Sequence, residues 1–107
     1  MTLRQEKLNA VLQEVIARFL HDVFGAAPLV TVTVVMVSAD MRNAKALISV
    51  FPEKETPKVI KTLERKHGAL GRYLAAHTRM KYIPAVLFEI DHGEENRRRI
   101  EELLKKI

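Results

Sequence analysis

The sequence lacks cysteine and tryptophan altogether, and it contains only 4 glycines and 4 prolines among its 107 residues. Without cysteine there can be no disulfide, thiolate nucleophile or zinc–thiolate site, so the reducing cytoplasm is the expected compartment. Apolar residues never run unbroken for the roughly 18 positions of a membrane-spanning helix, and no export signal follows the amino terminus. We therefore expect a soluble protein that contacts no membrane.

The composition is typical of a globular protein, with 48% apolar and 29% charged residues. A chain of this length can bury one core between two layers of secondary structure and is too short for two such cores. We therefore expect a single domain that spans residues 1–107.

The positive charge is concentrated in the middle of the chain. Of the net charge of +5, residues 38–81 supply the whole excess, with ten basic against four acidic residues. Residues 1–37 hold three of each sign, and residues 82–107 hold five basic against six acidic ones. A local positive excess is typical of a surface that binds a polyanion, because Lys and Arg beside phosphates release condensed counterions. Charge alone does not identify the polyanion.

A strongly amphipathic helix is predicted at the amino terminus. Thr2 and Gln5 have the spacing of a capping box, and Gly25 and Pro28 favour an end of the helix near residue 25. Between these signals apolar residues recur at steps of three and four, at Leu8, Val11, Leu12, Val15, Ile16, Phe19, Leu20 and Val23.

Three strands are predicted in residues 29–37, 44–51 and 85–91, where apolar and β-branched residues alternate or cluster. The first two strands should pair antiparallel through the short polar connection 38–43. In the first strand the alternation predicts one wholly apolar face, formed by Val30, Val32, Val34 and Met36.

Two helices are predicted between the second and third strands, and one more after the third strand. Thr56 has the character of an N-cap ahead of Pro57, and Gly68 and Gly71 are expected to interrupt the helix before it resumes. The last helix is indicated by Ile100, Leu103, Leu104 and Ile107. The order α-β-β-α-kink-α-β-α predicts an α+β domain with helices packed on one face of the sheet.

Basic residues form a stripe on the predicted middle helices. On a wheel of regular helical period, Lys61, Arg65 and Arg72 fall within about 60° of Lys58, opposite the apolar positions. Such a stripe is either an ordinary solvated face or a polyanion-binding surface. Basic neighbours in the same charged piece favour the second interpretation: Arg42, Lys45, Lys66, Arg79 and Lys81.

A G-x-x-G motif, Gly68 to Gly71, lies between the two predicted middle helices. In KH domains such a motif brings the backbone close to nucleic-acid phosphates, because glycine has no β-carbon and can adopt positive φ. The motif is common by chance, and it also suits a plain turn between helices. Its position between an upstream and a downstream strand matches the KH order of elements.

Several segments together resemble the ribosome-binding factor A family, in order and in spacing. They are Arg4-Gln5-Glu6-Lys7-Leu8, Thr31-Val32-Thr33, Val37-Ser38-Ala39-Asp40, Asn43-Ala44-Lys45-Ala46, the run from Arg79 to Phe88, and Asp91 with Arg99-Ile100. The resemblance spans nearly the whole chain. It implies a single type II KH-like domain with a three-stranded mixed sheet, and a protein without catalysis or cofactor.

The same resemblance implies a partner, the immature 30S ribosomal subunit with its 16S rRNA and adjacent ribosomal proteins, bound by a monomer during late maturation and rRNA processing. The chain departs from the family pattern at the kink. Lys66-His67-Gly68 stands in place of Ala-x-Gly, and Gly71 stands where a basic residue is usual. Arg72 is the candidate replacement for that residue, and Arg97 replaces a small residue before the last helix.

Other functions are less well supported by the residues. A general KH-type module for single-stranded RNA and a domain that binds an acidic protein both remain open. Asp91 and His92 with the following glutamates could ligate a metal, but the end of a strand and the start of a helix explain these residues better. No nucleophile lies near a histidine in the sequence, so an enzyme is not expected. The few aromatic residues argue against base stacking as the main binding mode.

Overall fold

A computed structural model describes residues 2–93 of the chain. The elements are α1 (Leu3–Phe24), β1 (Leu29–Val37), β2 (Asn43–Phe51), a 3₁₀ turn (Glu53–Glu55), α2 (Thr56–Arg65), α3 (His67–His77) and β3 (Ala85–Ile90). The predicted last helix, with Arg97 before it, lies outside the described residues. None of the helices within residues 2–93 is long and apolar enough to cross a membrane.

The sheet has the order β1-β2-β3, with β1 and β2 antiparallel and β2 and β3 parallel. This arrangement confirms the predicted α+β class and the mixed three-stranded sheet. The parallel pairing requires the chain to cross over between β2 and β3, and α2 and α3 make that crossover. Because the crossover has to return along one face of the sheet, both helices lie on the core side.

The core fills the space between the helices and one face of the sheet. β2 contributes small side chains that let the helices approach closely, since Ala44 and Ala46 are buried along with Ile48. The helices contribute larger apolar side chains, among them Leu12, Ile16, Leu20, Val59, Leu63, Leu70 and Leu74. Val11 is the exception in the apolar period of α1, because 45% of it is exposed.

A β-bulge reverses the predicted faces in the second half of β1. The register skips one residue between Val32 and Val34, so Thr33 has no partner of its own in β2. At the bulge two β1 residues oppose one residue of β2. Beyond it the alternation of buried and exposed side chains is therefore shifted by one position. Val35 and Val37 therefore enter the core while Met36 is exposed, and the predicted apolar face is wrong from Val34 onward.

α1 begins as the sequence predicts. The Thr2 hydroxyl accepts a hydrogen bond from the Gln5 N–H at 3.1 Å, and the Gln5 side-chain carbonyl accepts one from the Thr2 N–H at 2.9 Å. At the other end Gly25 adopts φ 67°, a conformation that side chains disfavour, and its N–H closes the last turn on the carbonyl of His21.

One polar side of α1 covers the outer edge of β1. Gln5 and Gln13 donate side-chain hydrogen bonds to the carbonyls of Val37 and Thr33, while the Asn9 side chain accepts one from the Val37 N–H. Edge strands otherwise present unpaired backbone groups to other chains. The helix thus supplies hydrogen-bond partners along an edge where no other strand of residues 2–93 pairs.

The break between α2 and α3 lies at Lys66, two residues before the predicted position. Lys66 has φ −95° and ψ 15°, and it ends α2 and precedes α3. Gly68 is the second residue of α3 and Gly71 lies one turn further, so neither glycine interrupts a helix. Thr56 is likewise the first residue of α2 and not its cap, because the 3₁₀ turn precedes it directly.

Candidate nucleic-acid interface

Three basic side chains project from the exposed face of α2. Lys58, Lys61 and Arg65 are exposed, while Val59 and Leu63 on the opposite face are buried. The three side chains line a shallow depression together with Thr62 and Glu64. Lys58 lies 3.9 Å from the Glu55 carboxylate, and Arg65 donates a hydrogen bond to Thr62 at 3.4 Å. This part of the predicted stripe exists as a continuous surface, which we call the α2 cationic face (Lys58, Lys61 and Arg65).

The start of α3 carries no side-chain cap from any described residue and no acid in its first turn. The N–H groups of the first turn of a helix have no intrahelical acceptor, and the helix dipole makes this end positive. Lys66 precedes the turn, and Arg72 extends back over it, with Nη1 placed 3.4 Å from where a β-carbon on Gly68 would stand. Arg72 therefore lies at the α3 start and not on the α2 cationic face, because the break separates the two helices.

The glycines of the G-x-x-G motif act differently from the prediction. Positive φ among the described glycines occurs at Gly25 and Gly93, whereas Gly68 and Gly71 are helical. A β-carbon on Gly71 would meet no described atom within 4 Å, and one on Gly68 would meet only the end of the Arg72 side chain. Neither position requires glycine for the fold itself. The prediction that these glycines adopt positive φ is therefore wrong. Gly68 still leaves its backbone exposed at the start of α3.

A groove of about 650 Å³ runs along the end of the sheet beside the α3 start. His67 borders it from the helix, and Lys45 borders it from β2. The remaining lining comes from the hairpin end of β1 and β2 and the first half of β3: Met36, Val37, Ser38, Asn43, Ala44, Ala85, Val86 and Leu87. The groove places the hairpin and the α3 start on one continuous surface.

The hairpin connection is organised by one carboxylate. Asp40 accepts hydrogen bonds from the Ser38 hydroxyl at 2.5 Å and from the Arg42 N–H at 3.0 Å. These two donors hold the pKa of Asp40 below its ordinary value, with the Ser38 hydroxyl contributing most. Met41 takes φ 60° at the turn and packs against the core, so the exposed Arg42 side chain stands beside a fixed turn.

Lys45 has an ionic partner that the sequence did not predict. Its Nζ lies 3.4 Å from a carboxylate oxygen of Glu89, and both side chains are about half exposed. The contact arises because β2 and β3 pair in parallel, which brings Lys45 opposite Leu87 and near Glu89. Exposed pairs of this kind are weak and compete with water, so the ammonium can still meet a phosphate.

Arg79 and Lys81 lie in the loop between α3 and β3, and both are exposed. This loop ends at the groove, because Ala85 lines it and donates its N–H to the Arg42 carbonyl at 2.9 Å. The predicted residues therefore fall into two groups, the α2 cationic face and a second group at the α3 start, the hairpin and the loop after α3. The second group contains Arg42, Lys45, Gly68, Arg72, Arg79 and Lys81. Of these, Lys45 lines the groove, and Lys66 precedes the α3 start.

Sequence reasoning missed two features of this surface. His67 borders the groove and follows Lys66 in the chain. Tyr82, one of the few aromatic residues, is 78% exposed in the loop after α3. Each of the two residues directly follows a lysine, and this pattern is the signal in the sequence that could have identified them. Phe51 at the end of β2 is exposed as well.

Asp91 takes part in a structural hydrogen-bond set. Its carboxylate accepts from the Thr33 hydroxyl at 2.6 Å and from the Gly93 N–H at 2.8 Å. In residues 2–93 there is no group of three or more His, Cys, Asp and Glu side chains placed to hold a metal ion. The glutamates that follow Asp91 and His92 in the alternative metal hypothesis lie outside the described residues.

Comparison with known proteins identifies relatives along nearly the whole chain. Residues 4–104 match the family model described as Ribosome-binding factor A. The ribosome-binding factor A of Protochlamydia amoebophila is 36% identical over 111 residues, which cover 97% of this chain and 82% of that protein.

Solved structures share the fold. The crystal structure of ribosome-binding factor A from Thermus thermophilus superposes with a TM-score of 0.73 at 24% identity, covering 84% of this chain and 98% of that one. Coordinates of the Thermus thermophilus protein fitted into a cryo-EM map of a 30S complex give a TM-score of 0.70 at 24% identity, covering 79% and 92%. At this identity the likeness concerns the fold alone.

Proposed function

Because this chain belongs to the ribosome-binding factor A family, we propose that it binds the immature 30S subunit through its 16S rRNA. In this role it assists late maturation and rRNA processing in the cytoplasm, as a monomer without catalysis or cofactor. A member of the family is known in a complex with the 30S subunit, which supports this partner.

The observation that carries the proposal is the positive surface that surrounds the uncapped start of α3. Lys66 and Arg72 adjoin this helix end, and the α2 cationic face precedes it in the chain. A helix start without a side-chain cap offers backbone N–H groups to an anion, and phosphate is the anion that RNA presents at regular intervals. The arrangement suits a sugar–phosphate chain better than a single small anion, because the cations extend along most of α2.

We assign the two groups of residues separate tasks. The backbone at His67 and Gly68 contacts a phosphate directly, since Gly68 has no side chain to hold it away. The α2 cationic face neutralises further phosphates and contributes to affinity by counterion release. Arg42, Lys45, Arg79 and Lys81 extend the contact along the groove. Phosphate contacts fix the position of the protein, whereas shape and unpaired bases provide selectivity.

A sucrose-gradient experiment distinguishes this role from the other candidates. The protein should co-sediment with free small subunits, and preferentially with immature ones, and not with translating ribosomes. Binding to short single strands alone would instead indicate a general KH-type module. Co-sedimentation that survives nuclease treatment would indicate a protein partner and would contradict the proposal.

Reversing two charges on the α2 cationic face tests the electrostatic part. In the double variant Lys61→Glu/Arg65→Glu we expect weaker binding to immature subunits and to 16S rRNA. The slope of log K against log salt should become shallower by about 1.5, because each lost phosphate contact removes about 0.7 to 0.9. The melting temperature should stay nearly unchanged, since both side chains are exposed.

The matched control is Arg4→Glu/Lys7→Glu, which reverses two exposed charges on α1. It changes the net charge by the same amount, so any effect of overall charge appears equally in both variants. Equal loss in the two variants, or unaltered binding in the first, would remove the α2 cationic face from the interface.

A further inference from the structure

Tyr82 is exposed in a loop that other residues anchor to the core. The loop connects α3 to β3, and Met80 and Ile83 within it pack against the core while Pro84 is buried. The side chains that remain outside are Arg79, Lys81 and Tyr82. The exposed aromatic ring is therefore not the result of a loop that lacks contacts.

Hydrogen bonds fix both ends of this loop. At its start the Thr78 hydroxyl donates to the Leu74 carbonyl at 2.7 Å and accepts from the Met80 N–H at 3.4 Å. At its end the Ala85 N–H donates to the Arg42 carbonyl. An aromatic side chain on a fixed backbone has only two rotatable bonds to order, so a contact made by its ring has a small entropic cost.

The Tyr82 ring is also next to a cation. The Nζ of Lys81 lies 5.6 Å from the centre of the ring, within the range of a cation–π contact. The ammonium occupies one side of the ring, which leaves the other side available to a planar partner. An aromatic surface combined with a neighbouring cation is the chemistry with which proteins bind single-stranded nucleic acid.

The other aromatic residues of α1 and α3 pack against one another or against the core. The ring of Tyr73 lies edge-on to Phe19 with centres 5.3 Å apart and stacks on His77 at 4.0 Å, and its hydroxyl donates to Asp22. Phe51 is 73% exposed, but it lies at the end of β2 opposite Asn43 and the groove. Tyr82 is thus the exposed aromatic side chain that adjoins the candidate interface.

We propose that Tyr82 stacks on an unpaired nucleobase of the bound RNA, while Lys81 and Arg79 contact the flanking phosphates. This inference rests on the proposed function and adds to it a specific feature of the RNA, namely an unstacked base beside the α3–β3 loop. Stacking is tolerant of sequence, because every base has a planar face. The protein would therefore select a single-stranded position and not a particular base.

Tyrosine fluorescence can report the contact directly, because the chain contains two tyrosines and no tryptophan. The Tyr73→Phe variant keeps the ring that packs against Phe19 and His77, and it leaves Tyr82 as the sole tyrosine. We expect a short unstructured RNA to quench this emission. A blunt-ended RNA duplex, which has no unpaired base, should quench it much less, and absence of any difference would contradict stacking.

Substitutions at the ring separate stacking from burial of apolar surface. In the full-length protein Tyr82→Leu should weaken binding to the unstructured RNA about five- to a hundredfold, whereas Tyr82→Phe should bind within about twofold of the parent. The same RNA with abasic sites should bind the parent and Tyr82→Leu equally. Phe51→Ala is the matched control, because it removes an exposed ring at the distant end of the sheet and should leave binding unchanged.

The outcomes distinguish this inference from the proposed function. If Tyr82→Leu binds as well as the parent while Lys61→Glu/Arg65→Glu binds weakly, base stacking is refuted and the electrostatic role stands. If the parent binds neither immature subunits nor any of these RNAs, the proposed function fails, and the inference fails with it. Equal losses in Tyr82→Leu and Tyr82→Phe would show that the hydroxyl, and not the ring face, makes the contact.

Discussion

The helices α1 and α3 begin in opposite ways. At the start of α1, Thr2 and Gln5 cap each other's backbone and Glu6 complements the helix dipole. The α3 start has neither a side-chain cap from the described residues nor an acid in its first turn. Instead Lys66 precedes the first turn of α3, and the Arg72 side chain extends over it. Gly68, a residue that forms helices poorly, lies within this turn.

The start of α1 is thus built for stability, and the start of α3 matches the binding role that we propose for it. The capping box and the acid at the start of α1 stabilise a helix, whereas basic residues and glycine near a helix start destabilise it. A helix end that leaves its N–H groups and its positive dipole without an internal partner is suited to an anion from outside. Substitutions in α1 and in α3 test this comparison.

The largest effect is expected from Gln5→Ala. Gln5 is only 8% exposed, and it accepts from the Thr2 N–H and donates to the Val37 carbonyl. Its loss leaves buried polar groups without partners, so the free energy of unfolding should fall by about 2 kcal/mol. Urea denaturation measures this change. Thr2→Ala, which removes one capping bond, should cost about 1 kcal/mol. RNA affinity of the folded protein should not change, and a parallel loss would contradict the division of tasks.

A smaller effect on stability, of opposite sign, is expected from Gly68→Glu. The acid complements the dipole at the α3 start and can pair with Arg72 four residues later, so unfolding should cost about 1 kcal/mol more. The same carboxylate occupies the place proposed for a phosphate, so RNA affinity should fall by about tenfold or more. Thermal melting and filter binding measure the two effects. Gly68→Gln, which adds similar bulk without charge, should keep most of the affinity; an equal loss would indicate a steric effect.

The smallest effect is expected from Gly71→Ala. Helical geometry directs the Gly71 N–H to the carbonyl of His67, so it has no donor to offer a phosphate. A methyl group there meets no described atom within 4 Å, and alanine should stabilise the helix by up to about 1 kcal/mol. RNA affinity should stay within about twofold of the parent. A clear loss would mean that RNA approaches α3 beyond its first turn, as a strict G-x-x-G interpretation requires.

Features with local signals were predicted well from the sequence. The capping box fixed the start of α1, Gly25 fixed its end, and the β-branched run fixed the bounds of β1. The α+β class followed from the order of elements, and the family resemblance added the mixed sheet.

Features that depend on distant residues were not predicted. The bulge at Thr33 is accompanied by hydrogen bonds from its hydroxyl to the Leu47 carbonyl and to Asp91, which lie on or beside the two other strands. The ion pair of Lys45 with Glu89 likewise depends on the parallel pairing of β2 and β3. These contacts join residues that are far apart in the sequence, so no local sequence pattern predicts them.

The predicted position of the helix break is wrong for a different reason. Glycine is the residue expected at an interruption, yet the chain bends at Lys66, and both glycines remain helical. Leu63 at the end of α2 and Leu70 in α3 are both buried on either side of the bend. Packing of the two helices in the core therefore determines where the bend lies, and local propensity does not override it.

The hydrogen bond between Ala85 and Arg42 has a consequence for how the molecule meets a large partner. It joins the hairpin turn and the loop after α3 through the middle strand, so neither can shift without disrupting the first rung of the parallel ladder. If RNA binds both segments as we propose, its two contact points on the protein have a fixed separation. An RNA whose backbone spacing differs from that separation would have to deform, and its stiffness would then contribute to discrimination between maturation states.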